Sequence, residues 1–201
     1  AALRRMIERP ALRGVIAHFP PPFAHGKGIG PVGSTPDGHW QAISRKVIGR
    51  PLSLDHRHTL CAEPVPCPFY INYGVLVGNF ELLRALHGRL RILQPRIRRL
   101  LDNQFFAQVG VALGCQDAGL PTEALPLRYN FPNDPLADAM HAAELDQVTI
   151  MHYLRTQAFD RHRIFTSASE FEAFMRLDLD GSNRVFRDHV RRITGGVYPF
   201  D

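Results

Sequence analysis

Cys67-Pro68-Phe69-Tyr70-Ile71-Asn72-Tyr73-Gly74-Val75-Leu76-Val77 reads as a strand with a polar interruption. Ile71, Val75, Leu76 and Val77 are β-formers, Pro68 opens the run and Gly78-Asn79 closes it. A glycine at position 74 lets another backbone or a ligand approach closely, and Asn72 brings both a donor and an acceptor. A bulge with an internally satisfied asparagine would use the same residues. Just beyond, Leu82, Leu83, Leu86 and Leu90 share one helical face, which predicts a helix over 80–93 ending before Pro95. A strand feeding a helix is the building unit of a layered α/β domain.

The pattern continues in both directions. Residues 103–113 read as a helix, with Asp102 placed to cap it and Gly114 to stop it. Short strands are expected at 14–17 and 125–131, and a buried one at 147–153. Helices are expected at 40–48, 167–177 and 183–193, capped in the last two cases by Ser167 or Ser169 and by Ser182. Leu3, Met6 and Ile7 have helical spacing, so the chain opens in mid-helix. Residues 19–38 are crowded with Pro and Gly, include His25-Gly26-Lys27-Gly28-Ile29-Gly30, and read as a long loop of the functional or mobile kind. The whole, 1–201, is expected to form a single α/β domain. Its strands are fewer than a doubly wound sheet needs, so the missing ones are expected upstream of Ala1 or from a partner.

Composition narrows the function. With 45% apolar and 21% charged residues the chain is neither disordered nor fibrous, and no apolar run is long enough for a transmembrane segment. Three cysteines, an odd number, leave at least one unpaired within the chain, which together with the missing signal-type core points to the cytoplasm. The net charge of +5 rests on arginine, since only Lys27 and Lys46 are lysines. Guanidinium forks suit phosphate-bearing partners, although genomic base composition accounts for the same bias. The arginines are scattered and not interleaved with aromatics, so no nucleic acid is expected as a partner. His56 and His58 with Cys61 and Cys67 match no common zinc spacing. Gly26-x-Gly28-x-Gly30 lacks the flanking strand and helix of a phosphate cradle.

Four segments, taken in order, carry a resemblance. Asn72 and Gly74 precede three apolar residues; Leu101-Asp102-Asn103-Gln104 follows; then Leu125-Pro126-Leu127-Arg128-Tyr129-Asn130; and finally Val148-Thr149-Ile150-Met151-His152. Over about residues 66–163 this order resembles the GT-A-type glycosyltransferases of the glycogenin and lipopolysaccharide galactosyltransferase kind. The resemblance implies a partial GT-A-like fold, the C-terminal, acceptor-side part of a hexosyltransferase whose N-terminal donor-binding strands and Asp-x-Asp motif lie upstream of Ala1. It implies transfer, with retention, from a nucleotide-sugar donor to a carbohydrate or other hydroxyl acceptor. A divalent cation, manganese (Mn2+) or magnesium (Mg2+), would offset charge on the leaving diphosphate. In that assignment His152 is a metal ligand and Asn72 and Gly74 cradle the donor sugar. Asp102 stands beside the reacting carbon, with the neighbouring amide role falling to Asn103 or Gln104. Tyr129 and Asn130 bind substrate, and phosphate contacts fall to Arg155, Arg161 or Arg163. The alternative is a catalytically inactive binding or assembly module with the same fold.

Overall fold

A computed structural model describes residues 6, 8–21 and 35–200. The expected opening helix at Leu3 and Ile7 and the His25–Gly30 cluster fall outside the described residues. The protein is mixed α/β, with small sheets and helices. The chain divides into two compact units, Ala1–Pro126 and Leu127–Asp201.

In the first unit, β1 (Leu12–Ile16) is the middle strand of three, flanked by β4 (Ile71–Val77), antiparallel, and β5 (Thr122–Ala124), parallel. The short β2 (His56–Arg57) and β3 (Pro66–Cys67) form a separate antiparallel pair. Arg13, 3% exposed, pins the β1–β5 register: its guanidinium binds the Glu123 carboxylate at 2.7 and 2.9 Å. Three helices accompany this sheet: α1 (Pro36–Ile48), α2 (Phe80–Leu100) and α3 (Phe106–Asp117). Trp40, Ile43 and Val47 of α1, Leu93 and Ile97 of α2 and Val109 and Leu113 of α3 share a core with Ala17 and Tyr70. A second cluster joins Leu12 and Ile16 of β1 to Ile71, Leu86 and Val111. Each such side chain contributes about 1.5–3 kcal/mol when fully buried.

The helix boundaries differ from expectation for local reasons. α1 starts at Pro36, before the expected 40, because Thr35 accepts a hydrogen bond from the Gly38 N–H and proline suits the first helical position. α2 runs through Pro95 to Leu100, although an interior proline forfeits a backbone hydrogen bond. Ile97 and Leu101, both fully buried, lie beyond that proline, and their burial offsets its cost. α3 then begins at Phe106, later than expected, and Asp102 does not cap it.

The second unit contains a 3-10 turn (Leu127–Tyr129), β6 (Phe131–Pro132), α4 (Pro135–Met140), a second 3-10 stretch (Ala142–Gln147), β7 (Met151–His152), α5 (Ala168–Met175) and α6 (Gly181–Thr194). Of the strand expected over 125–131 only Phe131 is in a strand, and residues 127–129 form the 3-10 turn. The buried strand expected over 147–153 shrinks to Met151–His152, both half-buried, because only these residues find a ladder partner, in β6. Ser167 caps α5 as expected. Ser182 does not cap α6; it lies inside that helix, buried, and donates to Asp138. Phe159, Phe171, Phe174 and Phe186 build the unit's core with Ile164 and Val190.

Candidate functional site

In the first unit, the Asn72-Tyr73-Gly74 interruption is a bulge. Gly14 pairs with Leu76 and Ile16 with Ile71, so β4 carries extra residues between them. Gly14 allows this close approach, since a Cβ there would meet Ile71 carbons at 2.9 Å and the Val75 carbonyl at 3.0 Å. Asn72 is turned inward and 8% exposed; its Nδ2 lies 3.5 Å from His18 Nε2, and its Oδ1 faces the Gly74 N–H at 3.5 Å. His18 Nδ1 in turn meets Thr59 Oγ1 at 2.9 Å. Gly74 and Tyr73 face outward.

The Asp102-Asn103-Gln104 segment connects α2 to α3. Asp102 and Gln104 are exposed, and Asn103 does the local structural work: its Oδ1 accepts from the Phe105 N–H at 2.9 Å. The Asn103 Nδ2 is buried without a hydrogen-bond partner. Leu101, just before this segment, belongs to the same core as Tyr70, just before the Asn72 strand.

In the second unit the other two segments come together. β6 and β7 run parallel, with Phe131 opposite Met151 and Pro132 opposite His152. Phe131 N–H donates to the Ile150 carbonyl at 2.9 Å, and Asn133 N–H to the His152 carbonyl at 3.2 Å. Asn130 is 2% exposed, and its Nδ2 is buried without a hydrogen-bond partner. Half-exposed Tyr129 lies under the Arg128 guanidinium, 5.4 Å from its ring centre. Burial holds His152 below the ordinary imidazole value, and the positive charge of Arg161 pushes the same way. His152 is therefore a neutral imidazole at pH 7, the form that donates a lone pair.

The three arginines assigned to phosphate have protein partners. Arg155 donates from Nε and Nη2 to Asp134 Oδ2 at 2.9 and 2.7 Å. Arg163 is paired with Glu170. Arg161 lies over the Tyr153 ring at 5.8 Å and is otherwise exposed.

The residue that organises this region, Asn133, was not singled out from the sequence. Its Oδ1 accepts from the Leu154 and Arg155 N–H groups at 2.6 and 2.9 Å, and its Nδ2 donates to the Arg155 carbonyl at 2.8 Å and to Asn183 Oδ1 at 3.2 Å. Asp134 meanwhile caps α4 through the Leu136 N–H at 2.9 Å. The readable signal was Asn133-Asp134-Pro135, a turn pair followed by a proline suited to a first helical position.

Among the described residues no three of His, Cys, Asp or Glu stand close enough to hold a metal ion. His152 alone is not a cation site, and the His56, His58, Cys61 and Cys67 constellation does not form one either. Cys67 and Cys115 are buried, which pushes both thiols up to about 12, so neither is a nucleophile at neutral pH. No helix among the described residues is long and apolar enough to cross a membrane. Compared with family models, curated proteins and solved structures, the chain matches none.

Proposed function

We propose that this chain is part of a glycosyltransferase with a GT-A-like layered fold, which moves a sugar from a nucleotide-diphosphate donor to a hydroxyl acceptor. The observation that most supports this reading is the β6–β7 ladder, which sets Asn130 beside the strand that ends in His152, at the mouth of an arginine-bearing segment. Departure of a nucleoside diphosphate leaves negative charge that fixed cations stabilise. Arg161, exposed and oriented by the Tyr153 ring, supplies one such cation. Arg155 is held by Asp134 and positions the chain after His152. In the first unit the resemblance assigns the sugar to Asn72 and Gly74 and the reacting carbon to Asp102; Gly74 and Asp102 are exposed, whereas Asn72 is turned inward.

A manganese or magnesium ion would offset diphosphate charge when bound. Of the described residues the resemblance assigns only His152 to it, so its other ligands would come from elsewhere.

The test is a calorimetric titration of the full chain with UDP-glucose and UDP-galactose, with and without manganese, alongside release of UDP in the presence of acceptor alcohols. His152→Ala is expected to weaken manganese-dependent donor binding by about 10–100-fold. Unchanged binding in that variant removes His152 from the site. Donor binding without sugar transfer in wild type selects the inactive binding module.

A further inference from the structure

We infer that the outer face of α2 is a contact surface for the phosphate backbone of a double-stranded nucleic acid. Six of the 21 residues of this helix are arginine, and Glu81 is its one acid. In sequence these arginines are scattered, which speaks against a nucleic-acid partner; on the helix they are aligned. Seven residues fall about 20° short of two full turns. Arg84, Arg91 and Arg98 therefore form one row over about 21 Å of helix, with His87 between the first two. All four side chains are exposed, as is Arg99 beside the end of the row.

Local partners account for only part of this charge. Glu81 lies 3.4 Å from Arg84, and Asp117 of α3 pairs with Arg89. Arg96 donates to the Val47 carbonyl of α1 at 3.3 Å, away from the row. Arg91, Arg98 and Arg99 have no carboxylate partner among the described residues. Arg98 lies over the Phe106 ring, 4.2 Å from its centre, and Arg99 donates to the Pro95 carbonyl at 3.2 Å. Those partners orient a guanidinium and leave its charge. The C-terminal end of the helix offsets about half of one charge.

Like charges fixed in a row repel one another, and a linear polyanion relieves that repulsion. Over about 21 Å of duplex axis each strand presents about six phosphates, enough to give every guanidinium of the row a pair of oxygens. A guanidinium stacked on a ring keeps its N–H edge free, so Arg98 is held ready for such a contact. A single strand would need several exposed rings to stack on, and Phe80 is the one aromatic residue of α2. A membrane would take a helix whose apolar face is free to enter the headgroup layer, whereas Leu86, Leu93 and Ile97 are already buried in the core. Genomic base composition sets how many arginines a chain has, and not which helix face they share. The surface serves whether or not the chain transfers a sugar.

The experiment follows the fluorescence anisotropy of labelled RNA and DNA duplexes of about 20 base pairs on titration with the full chain, between about 50 and 200 mM salt. Three double variants are compared with wild type: R91Q/R98Q in the row, R91K/R98K at the same positions, and R176Q/R184Q on the helices of the second unit. The two glutamine pairs remove the same charge. All four arginines are exposed, and circular dichroism checks that each variant is folded. R91Q/R98Q is expected to weaken binding about tenfold or more and to reduce the slope of log K against log salt by about two. R91K/R98K is expected to stay within about threefold of wild type, since lysine also neutralises a phosphate, and R176Q/R184Q within about twofold. Equal weakening by both glutamine pairs, a loss with the lysine pair as large as with R91Q/R98Q, or no binding by wild type at the lowest salt overturns the inference. So does association with phosphatidylglycerol vesicles without binding to either duplex, since that would make the row a lipid contact.

Discussion

At His58 the backbone settles the tautomer. The Ala17 carbonyl lies 2.9 Å from Nδ1 and can only accept, so Nδ1 carries the proton and Nε2 is left bare. That second nitrogen is buried without a hydrogen-bond partner, and the ring is 5% exposed, edge-on to Tyr70. A proton added there would find no acceptor. Burial accordingly lowers the His58 pKa from 6.5, and the Ala17 hydrogen bond opposes this only in part. Below that value the unfolded chain binds more protons than the folded one. The stability associated with neutral His58 is thus fully present above about pH 6.5 and is lost as pH falls through its lower folded value. His56 and His152 shift in the same direction. The thermal midpoint should drop between pH 7.5 and pH 5.5, and His58→Gln should flatten that drop; an unchanged slope in the variant would assign the acid sensitivity to other groups. Asp102 gives a second test at this scale. It is exposed, and Asn103 makes the local turn in its place, so Asp102→Asn should alter stability by less than about 0.5 kcal/mol. On the proposed function the same change should lower kcat about 10²-fold. A fully active Asn variant would remove Asp102 from the chemistry.

Two helical glycines show how elements decide what a residue costs. Gly88 lies inside α2 with open space where a Cβ would stand, so Gly88→Ala should stabilise the protein by about 0.5–1 kcal/mol. Gly114 lies inside α3, facing α2, and a Cβ there would come within 3.1 Å of Leu86 Cδ1. Leu86 is 2% exposed and packed in the core, with little room to give. Gly114→Ala should therefore destabilise, by about 1–3 kcal/mol. Urea midpoints moving in opposite directions would confirm the contrast, and stabilisation by both would show that the α2–α3 contact is slack. In sequence, Gly114 looked like a helix stop, yet α3 continues to Asp117. Likewise, Pro95 looked like a stop for α2. Both glycine and proline carry local penalties, and both are overridden where the following turn has apolar surface to bury.

For the whole molecule, the cores of the two units can be probed separately. The protein's one tryptophan, Trp40, is fully buried in the first unit, whereas Phe171 is fully buried in the second. Phe171→Ala removes a core ring and should cost about 3–5 kcal/mol where it is felt. The expected result is an earlier transition by circular dichroism with an unmoved midpoint for Trp40 emission. A parallel shift of both signals would show that the two units unfold as one.

The amino-acid sequence by itself determined the elements whose signals are local and mutually consistent. The β-formers of 71–77 after Pro68, the leucine face from Leu82 to Leu90, and the Ser167 cap of α5 depend on residues within a turn or two of one another. Tertiary structure decided whatever depends on a distant partner. Asn72 became a bulge residue because β1 pairs Gly14 with Leu76 and Ile16 with Ile71, leaving 72–75 opposite Val15 alone, and residues 147–153 yielded only a two-residue strand because β6 is no longer than that. His18, His58 and Asn133 acquired their roles from carbonyls, amides and hydroxyls far away in the chain. The hollow lined by Arg45, Arg89 and Arg96 likewise exists only because α1 and α2, separated by the β2–β4 segment, face each other there. Spacing along a chain encodes neighbours within an element; burial energy and hydrogen-bond satisfaction select neighbours between elements, and these depend on the packed structure as a whole.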